Sequence, residues 1–183
     1  MEQHYAHYLN YAGERLSGNE RSLMENSRNG FAEGREFRSF WEFSLATAEV
    51  RTIRVASAVP FILYNQTLLI DAGGVRFEAI SGAATGGTYG TLLPIIGKNR
   101  HLSRPFPYYE PQCVLDTGGT AVGGTVVEVI RASSIGTGTN TGTVGHSIND
   151  ERALPAGTYY LRITNLDNGT SSGIYNLWWE ERP

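Results

Sequence analysis

Gly157-Thr158-Tyr159-Tyr160-Leu161-Arg162-Ile163-Thr164 alternates without a break, with Tyr159, Leu161 and Ile163 on one side and Tyr160, Arg162 and Thr164 on the other. Side chains two residues apart share a face in an extended chain, so this is a strand with one face turned to a core. A turn containing Asn168-Gly169 follows, then Ile174-Tyr175-Asn176-Leu177-Trp178-Trp179-Glu180, a second strand. Asn-Gly tolerates the positive φ values of a tight hairpin turn, so these two strands are expected to form a hairpin. Alternation puts Trp178 and Trp179 on opposite faces, which assigns at least one of them to the core.

The same period of two runs upstream. Phe40-Trp41-Glu42-Phe43-Ser44-Leu45 alternates loosely, and Val50-Arg51-Thr52-Ile53-Arg54-Val55 cleanly, with Ile53 and Val55 opposite Arg54. Phe61-Ile62-Leu63-Tyr64 and Leu68-Leu69-Ile70 precede Asp71-Ala72-Gly73-Gly74, a turn whose glycines can take positive φ. Val75-Arg76-Phe77-Glu78-Ala79-Ile80 sets Val75, Phe77 and Ala79 against Arg76 and Glu78. Residues 82–90 read as a loop before Leu92-Leu93-Pro94-Ile95-Ile96. Gln112-Cys113-Val114-Leu115 and Thr125-Val126-Val127-Glu128-Val129-Ile130-Arg131 are further strands. The Gly-Thr-rich stretch between Ser133 and Ser147 reads as a surface loop.

Roughly eight strands joined by loops too short or too glycine-rich for crossover helices select an all-β antiparallel sandwich, with a jelly roll as the expected arrangement. That domain spans 39–183. Residues 1–38 form an N-terminal extended arm, partly helical where Ser17-Gly18-Asn19-Glu20 has capping-box spacing ahead of Leu23 and Met24. The arm has tyrosines and little core, so it is expected to order against a neighbour or against its own domain. Its candidate interface residues are Tyr5, Tyr8, Tyr11 and Leu23, with Arg35 and Arg38 at the junction.

Composition narrows the function. Charged residues make up 18% of the 183 residues, below the usual quarter, and Gly, Thr, Ser and Asn replace them on a surface suited to subunit contact. The net charge of −3 supplies no basic field for a nucleic-acid backbone. Lys98 is the sole lysine, so the positive charge is almost all guanidinium, the cation favoured in protein interfaces; a GC-rich coding sequence would produce the same bias. No run approaches the roughly 20 apolar residues needed to span a bilayer, and Met1–Gly13 lacks the pattern of a signal peptide. Cys113 is the single cysteine, so no intrachain disulfide is expected, and synthesis in a reducing cytoplasm fits.

Catalytic and metal chemistry finds no constellation. His4, His7, His101 and His146 lack second ligands at metal-site spacing, and Cys113 sits in an apolar strand that raises a thiol pKa. No nucleophile elbow is present. Asp116, Asp150, Glu151, Glu110 and Glu180 would have to meet in space to act as a carboxylate pair. Gly136-Thr137-Gly138-Thr139-Asn140-Thr141-Gly142 misses the phosphate-loop spacing, and Asn165-Leu166-Asp167-Asn168-Gly169 lacks the distal Glu of a calcium loop. Tyr159, Tyr160, Tyr175, Trp178 and Trp179 could make a sugar-stacking platform. No cofactor or metal is expected, and the chain reads as a non-enzyme.

Asn149-Asp150-Glu151-Arg152-Ala153-Leu154-Pro155-Ala156-Gly157-Thr158-Tyr159-Tyr160 and the closing Trp179-Glu180-Glu181-Arg182-Pro183 resemble a group of tailed-phage structural proteins. Phe61-Ile62-Leu63, Gly73 to Glu78 and Gly86-Gly87-Thr88-Tyr89-Gly90 add to the likeness, which covers roughly 40–183. The resemblance implies a jelly-roll virion component, a cement or decoration protein that binds the major capsid protein and other copies of itself. A dimer or trimer assembled in the host cytoplasm and carried in the virion would follow. Tail or fibre placement is the alternative within that resemblance. The phrase Leu154 to Tyr160 is also similar to bacterial pre-peptidase C-terminal domains, small jelly rolls attached to secreted enzymes, and a carbohydrate-binding module is a further alternative.

Overall fold

The computed structural model describes residues 30–98 apart from 32, then 109–134 and 151–183. Among these every element is a strand: β1 (Glu36–Leu45), β2 (Val50–Ser57), β3 (Phe61–Ala72), β4 (Gly74–Ser81), β5 (Ala84–Gly86), β6 (Thr91–Leu92), β7 (Ile96–Gly97), β8 (Cys113–Thr117), β9 (Thr120–Val122), β10 (Thr125–Ser133), β11 (Arg152–Leu154), β12 (Gly157–Asn165) and β13 (Ser171–Glu181). The chain is therefore all-β. Five strands make one sheet in the order β11-β3-β13-β1-β7, and six make another in the order β10-β4-β12-β2-β8-β6. All the pairings are antiparallel, and the two sheets pack face to face as a sandwich.

The alternation read from sequence decides which side chains meet between the sheets. Ile53, Val55, Val75, Phe77, Leu161 and Ile163 project from the six-stranded sheet onto Phe37, Phe43, Leu45, Leu68, Ile70, Tyr175, Leu177 and Trp179 of the five-stranded one. Phe77 stacks on Tyr175 with ring centroids 5.3 Å apart, and Phe37 lies 5.8 Å from Trp179. Large aromatic rings bury the most apolar area per side chain, so these contacts dominate the core. Trp179 is fully buried, as one of the two tryptophans was expected to be.

Three features depart from the expectation. The turn after β12 is not a hairpin, because β12 pairs with β2 and β4 whereas β13 pairs with β1 and β3 in the other sheet. Residues 166–170 carry the chain across the sandwich, and Asn165 holds that crossing. Its Nδ2 contacts the carbonyls of Leu45, Ala46 and Gly169, and its Oδ1 accepts from the Asp167 amide and the Ser171 hydroxyl. Those bonds account for this polar run without an ion. The same switching recurs from β1 to β2, from β2 to β3 and from β3 to β4.

Second, residues 61–72 form one strand rather than two. It stays continuous because Tyr64 is passed over in the pairing with β13, where Trp178 faces Asn65 and Trp179 faces Leu63. A bulge of this kind absorbs one residue and re-aims the side chain it carries.

Third, the expected loop at 82–90 contains β5, which pairs with β9 in a two-stranded ribbon. The ribbon lies on the outside of the six-stranded sheet and covers Tyr160, which sits on the face opposite Leu161 and Ile163 and is also buried. The Tyr160 hydroxyl bonds Thr85 Oγ1 at 2.6 Å, and Tyr89 packs its ring against Tyr160. Gly119 backs the Tyr89 ring so closely that a Cβ would collide with it. Beside it Arg54 grips Asp116 through two bonds, of 2.9 and 2.5 Å. Gly73, at φ 76°, makes the β3–β4 turn that was assigned to it.

Candidate functional site

The two sheets end on one flank with β10 and β11. β11 is three residues long and pairs Arg152, Ala153 and Leu154 with Leu63, Ile62 and Phe61. β3 runs on to Ala72, and beyond Leu63 no described strand continues beside it on that side. The opposing sheet ends in β10, whose register against β4 shifts between Val126 and Glu128, so that Val127 has no residue opposite it. A short strand facing a bulged one leaves the interior incompletely closed.

A cleft of about 560 Å³ opens there between the sheets. Leu63 and Gln66 line it from β3, Ala79, Ile80 and Ser81 from β4, Val127 and Arg152 from the rims, and Leu154, Pro155 and Tyr159 to Leu161 from the far end. Its cause is legible in side-chain size. Where Val75 and Phe77 fill the space between the sheets, the next inward position on β4 is Ala79, whose methyl cannot reach across. The walls are almost wholly apolar, and the volume falls within the range of small-molecule sites.

One polar chain crosses the core beside this space. The Tyr175 hydroxyl bonds Gln66 Oε1 at 2.7 Å, and Gln66 Nε2 reaches Glu128 Oε2 at 3.3 Å. Arg152 donates to both Glu128 oxygens, at 2.8 and 3.2 Å. The order fixes every group's role. A carboxylate held by a guanidinium can only accept, so the Gln66 nitrogen must face Glu128 and its oxygen must face Tyr175, which donates. Burial pushes the Tyr175 phenol well above its ordinary range, which keeps the donated proton in place. A primary amide has two N–H bonds, and among the described residues one of them finds an acceptor. Gln66 is 2% exposed. The cleft is therefore an apolar space with the buried Gln66 amide among its lining groups.

Tyr5, Tyr8, Tyr11 and Leu23 lie outside the described residues, as do His4, His7, His101, His146, Asp150 and the run 136–142. Arg35 is described, and it is engaged within its own chain: Nη1 donates to the Glu181 carbonyl at 2.8 Å and lies 3.2 Å from the buried Glu180 carboxylate, while Nε meets Glu33 at 2.7 Å. Arg38 is exposed on β1, between Trp178 and Ile96 in the ladder. Glu36, Phe37 and Arg38, assigned above to the arm, thus lie in the first strand.

The described carboxylates considered for catalysis each have their own surroundings. Asp116 is held by Arg54, Glu180 by Tyr64 and Arg182, and Glu110 and Glu151 are exposed. Cys113 is buried at the start of β8, and desolvation pushes its thiol up to about 12. Of the aromatic group, Tyr160, Tyr175 and Trp179 are buried, Tyr159 stands edge-on to Phe61, and Lys98 Nζ sits 3.0 Å over the Trp178 ring. That face of Trp178 is covered by a cation.

No protein family, characterised protein or solved structure matches the chain. The cleft was missed from sequence, yet it left a signal. Asn65, Gln66 and Thr67 interrupt the apolar run from Phe61 to Ile70, and Gln66 shares a face with Leu68 and Ile70, where a polar amide must have a partner in the core.

Proposed function

We propose that the chain is a non-enzymatic structural subunit that works by binding other protein subunits, and that β10 is the strand through which it does so. One observation carries the reading. Val126, Val127 and Val129 are 40%, 61% and 50% exposed on a nine-residue strand that has a described partner, β4, on one side. Natural edge strands are usually blunted by lysine, by proline or by being very short. β10 has neither residue and is not short; its bulge at Val127 and its charges at Glu128 and Arg131 blunt the edge in part, and the exposed valines between them leave it suited to accept a strand from a neighbour, with main-chain hydrogen bonds supplying affinity and the valines apolar contact.

The order β11-β3-β13-β1 facing β10-β4-β12-β2 supports the jelly-roll arrangement, with β5 to β9 as an insertion between its fourth and fifth strands. Together with the sequence resemblance, this favours a tailed-phage virion component. In that role it would be a capsid cement or decoration protein bound to the major capsid protein and to its own copies, with a tail or fibre position as the alternative.

The test replaces Val126 and Val129 with lysine and compares native mass and capsid-shell binding with those of the unaltered chain. Loss of association with an unchanged circular-dichroism spectrum is expected. A parent chain that stays monomeric and ignores capsid shells would end the proposal.

A further inference from the structure

We infer that the inter-sheet cleft is a binding site for a small apolar molecule that carries one uncharged oxygen acceptor, such as an alkyl chain ending in an alcohol, ester or ketone. This goes beyond the assembly reading and does not rest on it. Three observations select the ligand class. The walls, Leu63, Ala79, Ile80, Leu154, Pro155 and Leu161, offer apolar surface with few polar atoms, so the body of the guest is hydrocarbon. Gln66 lines the same space with an N–H bond that no described acceptor takes, so the guest gains by presenting an oxygen to it. Arg152, the charged residue that lines the cleft, is joined to Glu128 beside it through two bonds. A charged head would lose its hydration and find no unengaged counter-charge in that pair, which disfavours a carboxylate or an amine.

The polar chain itself supports the assignment. A core position filled by Gln66 could be filled by a hydrocarbon at no loss of packing, and a buried amide contributes little net stability even when fully bonded. Its value lies in the oriented donor that Tyr175 and Glu128 fix in place.

The experiment titrates the full chain with 1-octanol, octane and octanoate and follows amide and tyrosine-ring NMR shifts. Saturable 1-octanol binding that shifts Tyr159, Leu161 and Gln66 is expected, with octanoate at least about tenfold weaker. Ala79→Phe fills the cleft and abolishes binding. Gln66→Met keeps the length and removes the donor, so 1-octanol weakens by about tenfold while octane is unchanged. Each variant is first checked for native shift dispersion, and Leu154→Trp, which blocks the far end, stands in for any that fails it. Absence of saturable binding overturns the inference, as does octanoate binding as tightly as 1-octanol. So do cleft resonances that respond to subunit association and to none of the three probes, a result that would assign the space to a partner's side chain. Val126→Lys with Val129→Lys leaves 1-octanol binding intact, which separates failure of this site from failure of the assembly reading.

Discussion

Glu128 and Arg152 are held together by two hydrogen bonds, 2.8 and 3.2 Å long, that run from the end strand of one sheet to the end strand of the other. The pair closes the sandwich beside the cleft. Arg152 is 39% exposed, so water screens much of the attraction, and a double-mutant cycle should give a coupling of about 1 kcal/mol. Glu128→Ala is expected to cost more than Arg152→Ala, because the buried Gln66 amide also loses its acceptor. Equal costs in urea unfolding would show that Gln66 does not depend on Glu128.

Glu181 is a fully buried carboxylate near the end of β13. It accepts the amides of Gln112 at 2.8 Å and Cys113 at 3.0 Å, with the Trp179 indole N–H at 3.3 Å. Glu181→Ala strands all three donors away from water, and a loss of about 3 kcal/mol is expected in chemical denaturation. Glu181→Gln, which retains one accepting oxygen, should lose less. A change within about 0.5 kcal/mol for the alanine variant would contradict the bonding described.

Cys113 should be inert in the native protein. With its thiol raised to about 12, chiefly by desolvation, the thiolate is scarce at pH 8, and burial blocks access as well. A disulfide reagent is expected to label it at the rate of global unfolding, and instantly in denaturant. Linkage follows the same shift: an unfolded thiol ionises near its ordinary value while the folded one does not. The contribution of Cys113 to stability is therefore intact at neutral pH and lost as pH rises from about 9 toward 12. Cys113→Ser should flatten that alkaline slope.

Tyr89 tests the cover on the outer face of the six-stranded sheet. Its phenol is pushed up to about 12 by burial under the β5–β9 ribbon, with Arg54 4.7 Å from the ring centre opposing the shift. Thr85→Val removes the bond to Tyr160 that pins the ribbon and should cost about 1 kcal/mol. It should also lower the alkaline midpoint of Tyr89 in ultraviolet titration. An unmoved midpoint would mean that the ribbon stays seated without that bond.

Strand identity was legible wherever apolar and polar residues alternate, as in Ile53, Arg54 and Val55 or Tyr159 to Thr164. Strand partnership was not. Alternation reports which face is buried and says nothing about which strand lies alongside, so the Asn168-Gly169 turn read as a hairpin although it crosses between sheets. Alternation also left open how far the outward positions are covered: a ribbon formed by residues distant in sequence covers Tyr160, and Arg76 and Arg162 surround Glu78. The cleft arises from an absence, the small side chain of Ala79 opposite a strand that stops early, and a missing contact has no pattern of its own. Gln66 was visible, but its meaning needed Tyr175 and Glu128 beside it.

β12 lies between β4 and β2, and β13 lies between β3 and β1, so the two strands nearest the C-terminus occupy the middle of both sheets. During synthesis, then, β1 to β4 leave the ribosome with the slots between them empty, and no pair among these four is bonded to another in the finished fold. Such a chain can pair β2 with β8 and β4 with β10 earlier, but neither sheet closes until β12 and β13 emerge, and its many long-range pairings make folding slow. A released chain ending before Gly157 should be protease-sensitive, and a released chain that includes residues 157–183 should be resistant.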